Sequence, residues 1–250
     1  INGSVGPFLL GVAVATFFTG AQFILNEFNH VRWATGWHGL EALLNGRNLA
    51  LGIAVLFLAR TNGLLYIINS VNDYDLIEKA NRKMILNSLS FLVFFLFFLI
   101  TLLVSSGFAY DPASETVSME KYKYLHNLLQ MPLVLVIFLT GVTGVLYGII
   151  ITVFRGSRKG IWFTGAGTIL AVISLFLLAG FNNTAFYPSA YDLNSSLSIH
   201  KASSSLFTLK TMMFVSFIIP FVAAYIWFAW EAINRKRITA GEMQEEGHLY

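Results

Sequence analysis

Histidine and methionine are the residues of this chain that could ligate a haem, because haem b in a helical bundle needs axial His or Met ligands facing inward from the helices. All five histidines fall outside the centres of the long apolar runs: His30, His38, His126, His200 and His248. Four methionines stand at the ends of such runs: Met84, Met131, Met212 and Met213. With no cysteine in the chain, thiolate metal sites and c-type haem attachment are also excluded. The sequence therefore predicts no cofactor or metal bound by this chain alone.

Carboxylates inside membrane spans are typical of proton-driven transporters. Of the 13 acidic residues, Glu231 is the one that falls within an apolar run, at its end beside Trp230. We interpret Glu231 as a solvated carboxylate near Arg235. The sequence thus disfavours a transporter and offers no catalytic residue.

Arg60 is the exception among the cations, because it lies more than halfway along the second apolar run. An Arg near the centre of a bilayer costs roughly 2.5–3.5 kcal/mol on insertion scales. Two interpretations stay open. Arg60 snorkels or pairs with a carbonyl, or it makes a polar contact with a partner or lines a hydrated path. It is the one candidate functional residue.

The elements that carry these residues are membrane spans. The chain is 56% hydrophobic and 12% charged, about half the charge of a soluble domain, which excludes a soluble enzyme and a nucleic-acid partner. A span needs about 20 apolar residues, and six runs qualify: roughly 5–25, 48–69, 84–106, 128–154, 160–181 and 211–232. Each is apolar on all sides, so we predict an all-α polytopic transmembrane bundle of about six spans, followed by a tail over 233–250.

Lys and Arg in the connections predict the orientation. One set of connections, with the tail, carries nine positive charges: Lys79, Arg82, Lys83, Arg155, Arg158, Lys159, Arg235, Lys236 and Arg237. The other set is much longer and carries six: Arg32, Arg47, Lys121, Lys123, Lys201 and Lys210. We expect the first set, and the C-terminus, in the cytoplasm. Tryptophans then form belts at both boundaries: Trp162, Trp227 and Trp230 inside, Trp33 and Trp37 outside.

Two local patterns predict helix geometry. Pro220 lies inside the sixth run and should kink it. Gly144 and Gly148 form a GxxxG pair, and Gly167 with Ala171 is a similar pair in the next run. Small residues at this spacing let helices approach closely, and the short connection between these runs predicts that they pack on each other.

The last third of the chain resembles a motif of subunit II of the cytochrome bd-type quinol oxidases. The resemblance rests on Phe186-Tyr187-Pro188-Ser189 and on the segment from Ser196 to Lys210, which leads into the last span. Leu43-Leu44-Asn45, followed by Gly52, Thr61, Gly63 and Tyr66, is similar to a second motif of that family. Here Gly46-Arg47-Asn48 departs from the family's usual Pro-Phe-Gly.

The resemblance implies a haem-free subunit of a bacterial inner-membrane oxidase that oxidises quinol and reduces O₂ to water. Haems b and d would lie in the partner, subunit I, and this chain would support its assembly and stability. Some members hold a structural quinone or lipid in subunit II. The family has about nine spans, so the resemblance also implies that this chain corresponds to the last six. No residue here matches the family's proton-path acids.

Two alternatives stay open from the sequence. One is a secondary transporter or permease fragment, for which Pro220 offers the nearest thing to a broken helix. The other is a membrane-anchor subunit of another respiratory complex, although such anchors often carry paired histidines within their helices.

Overall fold

The computed structural model describes residues 2–28 and 30–234. Its helices are α1 (Asn2–Thr19), α2 (Gly46–Ser70), α3 (Tyr74–Val104), α4 (Lys123–Gln130), α5 (Pro132–Arg155), α6 (Gly160–Gly180), α7 (Ile199–Ala202), α8 (Leu206–Ser216) and α9 (Ile219–Asn234). Five helical segments of the described chain are long and apolar enough to cross a membrane: α2, α3, α5, α6 and the α8–α9 segment. The predicted polytopic helical bundle is confirmed. The predicted tail beyond Asn234 lies outside the described residues.

In the part of the chain that the structure describes, the long connections contain six short strands: β1 (Phe23–Leu25), β2 (Val31–Trp33), β3 (Ser106–Asp111), β4 (Thr116–Lys121), β5 (Ala185–Tyr187) and β6 (Leu197–Ser198). They form three antiparallel pairs, β1–β2, β3–β4 and β5–β6. The longest, β3–β4, runs in register from Ser106 opposite Lys121 to Asp111 opposite Thr116. These strand pairs were not predicted from the sequence.

The first predicted span, 5–25, is too long at its C-terminal end. Its apolar helix covers Gly3–Thr19, shorter than the five spanning segments, and it ends where Gly20 adopts a positive φ of 80°. A Cβ at Gly20 would also lie only 3.0 Å from the Ala190 Cβ. The chain then turns into β1, so the six predicted runs correspond to five full-length spanning segments and one shorter apolar helix.

Two further span boundaries differ from the prediction. The helix predicted over 84–106 begins ten residues earlier, at Tyr74, because the Asp73 side chain accepts a hydrogen bond of 3.0 Å from the Leu76 backbone N–H. Capping of this kind extends a helix into polar sequence, which a hydropathy pattern does not detect. The run predicted over 128–154 is divided at Met131, and the spanning helix α5 begins at Pro132, where a missing N–H costs nothing.

The predicted kink at Pro220 is confirmed. Helix α8 ends at Ser216 and α9 begins at Ile219, with a turn in between in which the Ile218 N–H donates to the Val215 carbonyl at 3.0 Å. Proline lacks the N–H that would continue the helical ladder, so the helix breaks one turn before it.

The predicted close packing of α5 on α6 is also confirmed. A Cβ at Gly144 would lie 3.3 Å from the Gly167 Cα, and one at Gly141 would lie 2.5 Å from the Ala171 backbone nitrogen. A Cβ at Gly148 would lie 2.6 Å from the Gly160 carbonyl oxygen. The backbones touch because these positions carry no side chain.

The helices form one packed body from α1 to α6. Helix α1 packs on α2, α2 on α3, and α5 on α6, while contacts of α2 with α6 and of α3 with α5 join the pairs. Phe18 is buried near the end of α1, with its ring 5.2 Å from that of Tyr124 and 6.0 Å from that of Phe98, both edge to face. The α8–α9 segment differs, since none of its most apolar 18-residue window is buried.

The connections divide between the two ends of the bundle as the sequence predicts. The long connections, 20–45, 105–131 and 181–205, meet at one end, which we call the cap: Ala21 pairs with Ser189, and Ala109 with Thr184. At the opposite end, the basic end, the Arg158 guanidinium donates to the Asn72 side-chain oxygen at 2.9 Å. The fold therefore supports the grouping of the charges, while the side of the membrane stays a prediction.

Candidate functional site

Arg60 lies on the outward face of α2, two residues past the midpoint of the helix. Its side chain is exposed, and its Cζ lies 6.0 Å from the centroid of the Phe57 ring. Gly63 and Tyr66, one and two turns further on, are exposed on the same side. We call these four residues the Arg60 surface. In the described part of the chain Arg60 makes no ion pair.

The described histidines all lie at the cap. His126 is in α4, His200 in α7, and His30 and His38 are in the connection between α1 and α2. The His200 ring stacks on Tyr110 at 5.7 Å between centroids. Among the residues that the structure describes, no group of three or more His, Asp or Glu side chains could hold a metal ion. His248 lies outside the described residues.

The motif residues of the last third hold the cap together. Ser189 is completely buried. Its Oγ donates to the Phe23 carbonyl at 2.5 Å and its backbone N–H donates to the Ser196 Oγ at 2.9 Å. Nearby, the Ser195 Oγ accepts from the Leu25 N–H at 2.9 Å. Ser189 and Ser195 therefore join the connection after α6 to the β1 strand, and Ser196 holds Ser189 in place from within that connection.

A second buried network joins α4 to the connection after α6. Asn127 is fully buried, and its side-chain amide donates to the Thr184 Oγ1 at 2.7 Å and to the Leu178 carbonyl at 3.3 Å. The Asn182 amide in turn donates to the Asn127 oxygen at 3.0 Å. Buried polar groups of this kind are costly to leave unpaired, so the network fixes α4 against the end of α6.

Glu120 is the centre of a charged cluster on the surface of the cap. One carboxylate oxygen lies 3.0 Å from the His126 Nδ1 and the other 3.3 Å from the Lys123 Nζ. The hydrogen bond with His126, aided by the charge of Lys123, holds the pKa of the Glu120 carboxyl below its ordinary value. The cluster ties the β3–β4 hairpin to α4.

Sequence reasoning identified Arg60 and the Ser189–Ser196 segment but missed the Asn127 network and the Glu120 cluster. Their partners are far apart or in a different type of element, so no spacing pattern predicts them. The Ser- and Asn-rich composition of the long connections is the one signal present in the sequence. It indicates polar caps without saying which side chains meet.

A known protein family matches nearly the whole chain. The model of the family described as cytochrome bd terminal oxidase subunit II matches residues 1–233. No curated protein matches the chain. The matched range includes the Arg60 surface, the described cap and all the described spans.

Proposed function

The chain belongs to the cytochrome bd terminal oxidase subunit II family, and on that premise we propose that it is the haem-free subunit of a bacterial quinol oxidase. As a member of the family it is a multi-pass membrane protein and part of an oxidoreductase complex with other subunits. The proposal adds that the complex oxidises quinol and reduces O₂ to water. It places the complex in the cytoplasmic membrane with the basic end inside. This proposal rests on the family match.

The positions of the histidines support a haem-free role. Axial ligation needs His or Met side chains that face one another from within the helices. The described histidines instead lie in the cap, where His126 binds Glu120 and His200 stacks on Tyr110. Haems b and d are accordingly assigned to the larger partner, subunit I, and the present chain to its assembly and stability.

The surface of the bundle supports a partner role. An exposed guanidinium near the middle of α2 is unfavourable in lipid, and Gly63 beside it leaves room for close approach, with nothing within 4 Å of a Cβ built there. We assign the Arg60 surface to contact with subunit I, where a carboxylate or carbonyl would meet the guanidinium. Shape and small residues would supply the rest of the contact.

The test is purification of the tagged chain in mild detergent from the cells that make it, followed by a reduced-minus-oxidised spectrum of the eluate. We expect a larger partner that carries b- and d-type haem bands, and quinol-dependent O₂ consumption. A colourless protein without a partner would exclude the oxidase assignment, and vesicle uptake assays would then test a transporter. A different respiratory partner would instead indicate an anchor subunit.

A further inference from the structure

At the basic end, a cleft of about 690 Å³ opens between the connection that joins α5 to α6 and the facing side of α9. We call it the basic cleft, and its lining residues come from three parts of the chain: Asn69, Ser157, Arg158, Lys159, Trp162 and Trp227. Two of these side chains are cations and none is a carboxylate. We propose that the basic cleft binds the headgroup of an anionic phospholipid.

The charges of the cleft are not neutralised by the described protein. Arg158 donates to the neutral side-chain amide of Asn72 at 2.9 Å, which positions the guanidinium and leaves its charge uncompensated. The Lys159 side chain is exposed and forms none of the ion pairs within residues 2–28 and 30–234. A phosphate group can therefore accept charge-assisted hydrogen bonds from both side chains.

The start of α6 adds to the positive potential. The helix begins at Gly160, directly after Lys159, and no side chain caps its first turn. The N-terminal end of a helix carries a partial positive charge that favours anions. Two cations and an uncapped helix end thus converge at one cleft, and basic pockets between spans are sites for anionic lipid headgroups.

The walls of the cleft favour a lipid over a free anion. The rings of Trp162 and Trp227 lie 6.4 Å apart between centroids, and their exposed fractions are 58% and 65%. Indole rings at the ends of spans occupy the headgroup region, because the ring is apolar and its N–H can donate to polar groups. Beyond Trp227, the apolar window of the α8–α9 segment is unburied, so acyl chains below a bound headgroup have apolar surface to lie along.

This inference does not depend on the oxidase assignment, and native mass spectrometry tests it. The chain is purified in mild detergent with the subunits that accompany it, and its bound lipid is removed. The sample is then titrated separately with phosphatidylglycerol, with phosphatidylcholine and with inorganic phosphate. We expect phosphatidylglycerol to bind preferentially. The variant with Arg158→Gln and Lys159→Gln should lose that binding by about tenfold.

The matched control is Lys79→Gln with Lys83→Gln, which removes two exposed cations from the same end outside the cleft. We expect it to keep phosphatidylglycerol binding within about twofold. Where the double variant does not fold, Lys159→Gln alone is used, because that side chain is exposed. Three outcomes would each overturn the proposal. The two lipids could bind equally well, or the cleft and control variants could lose equal amounts of phosphatidylglycerol binding. Inorganic phosphate could also compete with phosphatidylglycerol as well as a second lipid molecule does.

Discussion

Arg60 lies two residues past the midpoint of α2, and an unpaired cation in the middle of a membrane span is unfavourable. The α2 helix rises about 1.5 Å per residue, so the ten residues from Arg60 to Ser70 separate its Cα from the basic end by about 15 Å. That distance exceeds the reach of an arginine side chain, and snorkelling alone does not bring the guanidinium to the end of the helix. We therefore expect a polar group on a neighbouring subunit, or water in a hydrated path, to meet the guanidinium.

Replacing Arg60 with Leu distinguishes the two interpretations that the sequence leaves open. If Arg60 contacts a subunit, Arg60→Leu leaves the partner's polar group buried and unpaired, and we expect the yield of haem-containing complex to fall about tenfold or more. Arg60→Lys, which keeps the charge, should retain part of that yield. The measurement is haem absorbance per mole of tagged chain. An Arg60→Leu complex as abundant and active as the wild type would place Arg60 against lipid.

The Glu120 cluster gives the cap a pH dependence. Because the pKa of Glu120 is lowered in the folded state, its contribution to stability is present above the ordinary carboxyl value of 4.5 and is lost as the pH falls through the lowered pKa. Glu120→Gln should lower the unfolding temperature by about 1–2 °C at pH 7, since the pair is partly exposed. Thermal unfolding in detergent should show this difference vanishing well below pH 4.5. A difference that persists or grows on acidification would contradict it.

At the scale of elements, glycines decide how closely α5 and α6 approach. Gly148→Ala introduces a Cβ that would lie 2.6 Å from the Gly160 carbonyl oxygen, and overpacking of this kind costs about 1–3 kcal/mol. We expect the unfolding temperature of the purified protein to fall by several degrees, at roughly 2–4 °C per kcal/mol.

Gly165→Ala is the matched control for this pair of helices. Gly165 lies in α6 with nothing within 4 Å of a Cβ built there, so alanine should leave stability unchanged or raise it by up to about 1 kcal/mol. If both variants were equally stable, the close contact of α5 with α6 would not contribute to the stability of the fold as proposed.

At the scale of the whole molecule, the two ends of the bundle should lie on opposite sides of the membrane. The chain has no cysteine, so a single introduced cysteine reports its own position without background. Ser118 is exposed on β4 in the cap, and Lys79 is exposed at the basic end of α3. With the basic end inside, a membrane-impermeant maleimide should label Ser118→Cys in intact cells.

The Lys79→Cys variant provides the opposite half of the same experiment. It should react with the maleimide only after the cells are permeabilised, and the measurement is the labelled fraction by gel shift. Labelling of Lys79→Cys in intact cells, with protection of Ser118→Cys, would reverse the orientation. Labelling of both in intact cells would exclude a spanning bundle with its connections at two ends.

The sequence by itself determined the features that depend on local physics. Lipid leaves no water to hydrogen-bond the backbone, so each span must appear as a long apolar run, and the runs at 48–69 and 160–181 agree closely with α2 and α6. The break before Pro220 and the glycine contact of α5 with α6 could also be predicted from the sequence. Both depend on residues within one helix or across one short connection.

Only the tertiary structure determined which side chains meet in the cap and the direction in which Arg60 faces. Ser189 with Phe23, and Asn127 with Thr184, are brought together by the folding of distant segments, and a polar residue in a connection does not specify its partner. The end of α1 at Gly20 likewise depends on Ala190 and Phe108, which pack against it. The sequence places Arg60 along its helix, but packing of α1 and α3 on α2 sets the rotation that turns its side chain outward.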